Sequence, residues 1–222
     1  MAAVVGGSVR DGLLGALPPD YDLATSASPE AMLELFPRAI PIGLRHGTVM
    51  VPSAAGPVDV TLFRAGSLVE DLQLRDFTIN AMALRLYGEG SAALFDPYDG
   101  VVDLAQKTLR TPLDPEISFG DDPLRMLRLF RFLSTLGFVP TEEALRAVSA
   151  MAERLEIISA ERIRVELSKL LVGEHVADAL WGLVETGLAD QFLPELAELE
   201  LQQDPQQRHK DVLAHSIAVV AK

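Results

Sequence analysis

The alternation of apolar and polar positions changes its period along the chain, and each change predicts a change of architecture. Ala2 to Val5 is a short apolar run that reads as a strand, breaks at Gly6-Gly7 and passes into a helix. A second short strand is predicted over Asp20 to Ala24, then a helix from Pro29 to Phe36 with Ser28 as N-cap and Pro29 at the first helical position. Thr48 to Val51 and Val58 to Leu62 are rich in β-branched residues. The stretch Pro52-Ser53-Ala54-Ala55-Gly56-Pro57 separates them, which predicts a hairpin with a longer loop. Leu68, Leu72, Arg75 and Ile79 then follow helical spacing. Phe95 to Gly100 is rich in turn residues, and Thr111-Pro112-Leu113-Asp114-Pro115 marks a boundary. Residues up to about Leu104 thus read as mixed α/β.

From that boundary the period is helical. Asp121 to Leu133 is predicted as one helix, with Met126, Leu129, Phe130 and Leu133 on its apolar face. Arg125 and Arg128 fall on the other side with Asp121, and Arg131 lies at the edge. Thr141 to Leu155 is a further helix. Ser159 caps another, in which Ile163, Leu167, Leu170 and Leu171 form the core stripe and Arg162 and Glu166 stand at i,i+4 until Val172-Gly173 ends it. His175 to Val184 and Leu188 to Phe192 extend the array, with Gly187 as C-cap and Trp181 as a core residue. Gln202 to Gln207 reads as a polar linker, and Arg208 to Ser216 opens a new amphipathic segment.

Composition narrows the classes. With 222 residues and 49% hydrophobic content the chain can bury a full core. No apolar run reaches the roughly 18 to 20 residues of a membrane span, and the N-terminus lacks the pattern of a signal peptide. The cysteine count is 0, which excludes a disulfide framework and a cysteine zinc site and fits a reducing cytoplasm. A formal charge of -13 argues against a broadly basic surface, so any nucleic-acid contact must be local.

The candidate chemistry is polar and clustered near the start. Gly6-Gly7 at a helix start exposes backbone N–H groups that, with Arg10, suit an anion. Asp20 and Asp22 alternate about Tyr21, so both carboxylates leave one face and suit one or two divalent cations. Asp59 lies in the second of the β-branched strands, and were that strand beside them in a sheet it would be a third carboxylate. Each feature alone has a plain reading as a turn, a solvated loop or an edge acid. Their order puts phosphate-binding and metal-binding groups in one unit, as metal-assisted phosphoryl transfer requires. Arg75, Asp76 and Asn80 interrupt an apolar surface and suggest a fixed hydrogen-bond network, against an alternative of helix-end capping and a local Arg–Asp pair. Asp122 and Arg125 offer acceptor and donor together, suited to a base edge, with Arg128 a turn further on; the plain alternative is a solvated stripe.

The motifs VGGSVRDGLLG, DYDLATSASPE, RHGTV, VDVTLFR, SLVEDLQLRDFTINAMA, FDPYDGVVDL, DDPLRMLRLFRF, ISAERIRVEL and FLPEL follow one another along the chain in this order. Together they make the chain resemble the class II tRNA nucleotidyltransferases, the CCA-adding enzymes, and the related bacterial poly(A) polymerases. The resemblance implies a polymerase-β-like nucleotidyltransferase head with a mixed sheet over residues 1–110. A helical neck with a base-selecting helix would follow over 111–200, and the start of a truncated HD-like helical region over 201–222. It implies that Gly6, Gly7 and Arg10 meet the triphosphate, Asp20 and Asp22 bind Mg²⁺ with Asp59 as a further catalytic carboxylate, and Arg75, Asp76 and Asn80 bind the nucleotide. Asp122 and Arg125, with Arg128, would read the incoming base. The implied reaction is addition of CMP, or CMP and then AMP, from CTP and ATP to the 3′ end of tRNA, without a template or a membrane, in the cytoplasm. Alternatives are a poly(A) polymerase and a non-catalytic nucleotide- or RNA-binding fragment.

The sequence departs from the family pattern at Leu74, where an arginine is usual, and at Asp121, usually glutamate. The basic C-terminal region that grips tRNA in similar enzymes is not present, and His215 alone cannot build an HD metal site. In similar enzymes a flexible loop lies between the strand that ends here at Arg64 and the helix that begins here at Ser67. Only Ala65 and Gly66 stand between them. The resemblance implies that enzymes without this loop add only the two cytidines.

Overall fold

Ala2–Val5 (β1) sits inside a sheet because it is apolar on both faces, and the rest of the first unit is built outward from it. The computed structural model describes residues 1–18, 20–43, 47–53, 56–88, 90–199 and 212–222, and separates into a unit of Met1–Gln106 and one of Lys107–Lys222. In the first unit β1 is joined by Asp22–Thr25 (β2), Ile40–Gly43 (β3), Thr48–Ser53 (β4), Gly56–Leu62 (β5), Ala83–Leu86 (β6) and Ala92–Phe95 (β7). Among the described residues these form a seven-stranded sheet in the order β3-β4-β5-β2-β1-β6-β7. Its pairs are antiparallel except β2 with β5, which run parallel.

Helices cover the sheet according to strand alternation. Ala3 and Val5 of β1 and Ala24 of β2 pack with Leu68 and Leu72 of Leu68–Gln73 (α3). Leu23 and Val60 take the opposite face and pack with Met32 of Pro29–Leu35 (α2), whose Ser28 cap accepts from the Ala31 N–H as expected. Gly7–Leu13 (α1) follows β1, and Gly100–Gln106 (α4) ends the unit. Gly100 lies so close to the Thr78 carbonyl and Met82 that a side chain has no room there.

Several sequence expectations change. Asp20 lies just before β2 rather than within it. The hairpin strands run on through Pro52 and Pro57 to the pair Ser53↔Gly56, so the long loop shrinks to 54–55, outside the described residues. The helical spacing from Leu68 to Ile79 is broken after Gln73, and a 3₁₀ turn follows over Thr78–Asn80. The cause is local: the Asp76 carboxylate accepts from the Phe77 N–H and the Asn80 amide, bonds that compete with a helical ladder. Strands β3, β6 and β7 and helix α4 were not anticipated. Leu44, Arg45 and His46, including the start of the RHGTV motif, lie outside the described residues, as do 200–211, so the predicted linker and the first four residues of the Arg208–Ser216 segment are not described.

In the second unit Thr108–Leu109 (β8) pairs in parallel with Val139–Pro140 (β9), a ladder that sequence reading missed. The expected Asp121–Leu133 helix starts later and runs further, as Leu124–Leu136 (α6), and a separate, unanticipated helix, Pro115–Asp121 (α5), precedes it. Asp122 between them is extended, as a residue before proline tends to be, and its side chain accepts from the Leu124 N–H. Glu142–Met151 (α7), Ala160–Leu170 (α8), Val176–Glu185 (α9), Pro194–Glu198 (α10) and Val212–Val220 (α11) follow. Helix α6 is the centre of this unit, with Met126, Leu127, Leu129 and Phe130 fully buried and α8 and α9 packed against it. Leu171, expected in the α8 stripe, is exposed, and Glu166 is buried instead. No helix among the described residues is long and apolar enough to cross a membrane.

Gly182 of α9 abuts the Phe130 ring, whereas nothing lies near a side chain added at Gly12 of α1. Gly182→Ala is therefore expected to cost about 1–3 kcal/mol by overpacking, while Gly12→Ala should gain about 0.5–1 kcal/mol from helix propensity. Urea midpoints measure both; equal shifts for the two variants contradict this packing.

Candidate active site

The parallel pairing of β2 with β5 sets Asp22 directly opposite Asp59. Both side chains leave the sheet on the face that carries Ala24 and α3, since Leu23 and Val60 point to the other. Asp20, two residues earlier and exposed, adds a third charge close enough to act on Asp22. The Asp22 carboxyl is raised above its ordinary value, first by partial burial, then by Asp20; Arg75 opposes the rise and Asp59 adds to it. Among the described residues no group of three or more His, Asp or Glu side chains is placed to hold a metal ion by itself. An open group of repelling carboxylates instead fits a hard divalent cation that shares its shell with water and phosphate oxygens.

Above this acidic patch lie two guanidinium groups and two glycines. Gly6 has φ 75°, in the left-handed region, and a Cβ there would stand 2.9 Å from Arg75 Nη1 and 3.9 Å from Asp22 Oδ2. A Cβ on Gly7 would stand 3.3 Å from Arg10 Nη2. The glycines thus keep a floor clear under Arg10 and Arg75, where the first N–H groups of α1 have no acceptor within their helix.

Both arginines are fixed from behind. Arg10 Nη1 donates to Asn80 Oδ1 at 2.6 Å and its guanidinium pairs with Asp11 at 2.7 Å. The Asn80 amide in turn donates to Asp76 Oδ1 at 3.0 Å, so Asn80 spends both ends of its side chain on protein partners. Thr78 donates to the buried Asp103, which ties the 3₁₀ turn to α4. Arg75 Nη2 pairs with Asp71 Oδ2 at 3.3 Å, and its buried Nε has no partner among the described residues. Burial works against the Arg75 charge and Asp71 works for it, with a net lowering. Burial pushes the Asp71 carboxyl up, but the Arg64 N–H, Arg75 and the Arg64 guanidinium together hold it below its usual value.

Sequence reading named Arg10, Asp22, Asp59, Arg75, Asp76 and Asn80, and the fold brings these into one neighbourhood of the first unit. It missed Asp71, Arg64 and Asp103. The i,i+4 spacing of Asp71 and Arg75 was a usable signal; Arg64 and Asp103 had none, because tertiary contacts alone define them.

In the second unit Arg125 does not follow the plain alternative of a solvated stripe. Arg125 is 7% exposed, and its Nη1 donates to the Ser118 carbonyl and hydroxyl while Nη2 donates to Asp121. Asp122 accepts from Arg162 at 2.9 Å, which replaces the expected Arg162–Glu166 pair. Glu166, buried, pairs with Arg128 at 3.4 Å and Arg131 at 2.9 Å. Arg131 also stacks on Phe132 at 3.9 Å.

Comparison with known proteins places this arrangement. Residues 2–110 match the poly(A) polymerase head domain, and residues 137–200 match a segment described as a probable RNA and SrmB-binding site of polymerase A. The chain is 44% identical over 212 residues to a CCA-adding enzyme of Anoxybacillus flavithermus, covering 88% of this chain and 52% of that protein. It belongs to the tRNA nucleotidyltransferase and poly(A) polymerase family. Another relative in this family, a CC-adding tRNA nucleotidyltransferase of Shouchella clausii, is 40% identical over 91% of this chain and 55% of its own length. A solved CCA-adding enzyme of Bacillus stearothermophilus in complex with CTP superposes with TM-score 0.83 at 39% identity, covering 89% of this chain and 51% of that one. The chain spans about half the length of the curated relatives it matches.

A raised carboxyl is one whose charge is less favourable in the fold than in the unfolded chain. For Asp22, stability therefore falls as pH climbs from the ordinary carboxyl value of 3.8 through the folded one, and the deficit persists at neutral pH. Asp22→Asn is expected to raise Tm at pH 7 in EDTA, and Mg²⁺ should raise the Tm of the parent protein more than that of the variant. A lower Tm for Asp22→Asn in EDTA contradicts this electrostatic picture.

Proposed function

We propose that this chain transfers CMP from CTP to the 3′ end of tRNA without a template, releasing pyrophosphate. The observation that carries the reading is the Asp22–Asp59 pair facing Gly6-Gly7 under Arg10 and Arg75. The family has relatives named for CC and CCA addition, and one solved relative is described with CTP. Residues 1–110 then serve as the catalytic head, 111–200 as the base-selecting neck and 201–222 as the start of an HD-like region, in a cytoplasmic enzyme.

In this reading Asp20 and Asp22 hold Mg²⁺, with Asp59 completing the acidic group. The cation, when bound, supplies charge neutralisation at the phosphates and lowers the pKa of the attacking hydroxyl. Arg10 and the N–H groups beyond Gly6 neutralise and orient the triphosphate, and Arg75 with Asp76 fixes the sugar side. The tRNA hydroxyl oxygen bonds to the α-phosphorus as the bond from that phosphorus to the bridging oxygen breaks. Asp59, next to Asp22 on the parallel strand, is the carboxylate placed to take the hydroxyl proton. Asp122 and Arg125, with Arg128 a turn further on, are the acceptor and donors assigned to the base edge; Asp122 is paired with Arg162 and Arg125 with Ser118 and Asp121, so reading a base would require them to exchange those partners.

The finer assignment is the CC-adding type. Support comes from the β5–α3 connection, which is short and pinned: the Arg64 side chain donates to the Asp71 carboxylate and to the Asp71 and Leu74 carbonyls. A connection so tied has no independent hinge motion with which to reshape a pocket from C to A. Poly(A) polymerase, which shares the head domain, is the second reading.

A tRNA transcript lacking its CCA end, offered CTP and ATP together, tests both levels. The expected product ends in two cytidines with no adenosine at long times. Efficient adenosine addition to a tRNA ending in CC overturns the finer assignment, and adenosine tails from ATP alone favour the polymerase reading. Asp20→Ala or Asp22→Ala is expected to lower kcat by about a thousandfold or more, the loss of roughly 4 kcal/mol of transition-state stabilisation. Arg125→Ala should blunt discrimination of CTP from UTP more than it weakens binding. Intact selectivity with weaker binding would make Arg125 a phosphate contact.

A further inference from the structure

The Asp71 carboxylate, 3% exposed, is shared between two guanidinium groups. Its Oδ1 accepts from the Arg64 backbone N–H at 3.0 Å and from Arg64 Nε at 3.1 Å, and its Oδ2 pairs with Arg75 Nη2 at 3.3 Å. Arg64 holds more than the carboxylate. Nη2 donates to the Asp71 carbonyl at 3.0 Å and Nη1 to the Leu74 carbonyl at 3.3 Å, so one side chain grips the residues four and one before Arg75.

Arg75 has two acidic neighbours to choose between. One is Asp71; the other is the Asp22 group, near enough for Arg75 to lower the Asp22 carboxyl and with its Oδ2 3.9 Å from the Cβ position of Gly6 over which Arg75 sits. A guanidinium without Asp71 gains most by turning to the uncompensated carboxylates of Asp22 and Asp59, which is where a cation would bind. We propose that Asp71, locked by Arg64, is a positioning residue that parks Arg75 over Gly6 and withholds it from the Asp22–Asp59 pair, keeping that pair open to a divalent cation. This rests on the reading above that Asp22 is a cation ligand and Arg75 a nucleotide contact.

Two consequences separate this role from plain fold support. Removing the lock should make Arg75 a competitor of the cation, so the defect appears as a weaker cation requirement curve and disappears at high cation concentration. A merely destabilised protein loses rate at every cation concentration. The lock also needs the fork of an arginine, because three separate acceptors are used; a lysine, with one ammonium, restores it only in part.

The test compares Arg64→Ala, Arg64→Lys and Asp71→Asn with the parent protein. Mn²⁺ binding to the free chain is followed by electron paramagnetic resonance, and CMP transfer from CTP to tRNA is followed against Mg²⁺ concentration. The expected result is a rise of about tenfold in the Mn²⁺ Kd and in the half-saturating Mg²⁺ for Arg64→Ala, with kcat returning to near the parent value at saturating Mg²⁺ and Arg64→Lys intermediate. Arg64 is partly exposed, so its truncation leaves a folded protein even where Asp71→Asn does not. Unchanged Mn²⁺ affinity in Arg64→Ala, or a rate loss that no Mg²⁺ concentration restores, overturns the proposal. A parent protein that transfers no CMP from CTP overturns the functional reading instead, and the Mn²⁺ titration still decides the positioning role.

Discussion

Like charges held together by backbone register are the constraint on which the first unit depends. The parallel ladder between β2 and β5 leaves Asp22 and Asp59 no freedom to separate, and Asp20 stands two residues away. Such a group is tolerated only where positive charge or a cation offsets it. Much of what surrounds it is a means of placing positive charge nearby without letting it collapse onto the carboxylates. Arg10 is held back by Asn80 and Asp11, and Arg75 by Asp71. The 3₁₀ turn that carries Asn80 is itself anchored through Thr78 to Asp103 and through the close approach of Gly100. These supports are buried and mutually bonded, so the charged groups reach the site in fixed positions, which is the condition for electrostatic stabilisation of a transition state.

The helical unit solves a related problem with different parts. Its central helix α6 carries three arginines through or beside a core, each matched to an acceptor: Arg125 to Ser118 and Asp121, Arg128 and Arg131 to Glu166. Burial of Glu166 is sustained by these two partners, and removal of either would leave a poorly compensated carboxylate. The result is a helix whose polar side is rigid rather than solvated. In the proposed reading, that rigidity suits a surface that tells one base from another by donor and acceptor position.

Much of the first unit was legible because its signals are local. The apolar run of β1, the glycine break, the Ser28 cap with Pro29, and the β-branched runs at Thr48 and Val58 all became the expected elements. Strands β3, β6 and β7 escaped because Ile40-Pro41-Ile42-Gly43 contains a proline and a glycine, and the others are too short for a period to show. The run from Leu68 to Ile79 misled because helical spacing persists across Leu74–Phe77, while Asp76 takes the N–H groups locally. Residues of the candidate site were legible where type and spacing single them out, as with Asp20, Asp22 and Arg75. Arg64 and Asp103 were not, since only the fold shows that their partners lie at Asp71 and Thr78. In the second unit the burial of Arg125 was not legible, because helix periodicity cannot foresee that Ser118 and Asp121 of α5 accept from it.

The central claim is that the carboxylates of Asp20 and Asp22 hold a divalent cation against a nucleoside triphosphate. Crystals grown with CTP and Mn²⁺, with anomalous scattering recorded at the manganese edge, test it most directly. The account predicts a manganese peak within coordination distance of both Asp20 and Asp22, with the triphosphate lying over Gly6-Gly7. Bound CTP with manganese away from both aspartates would contradict it.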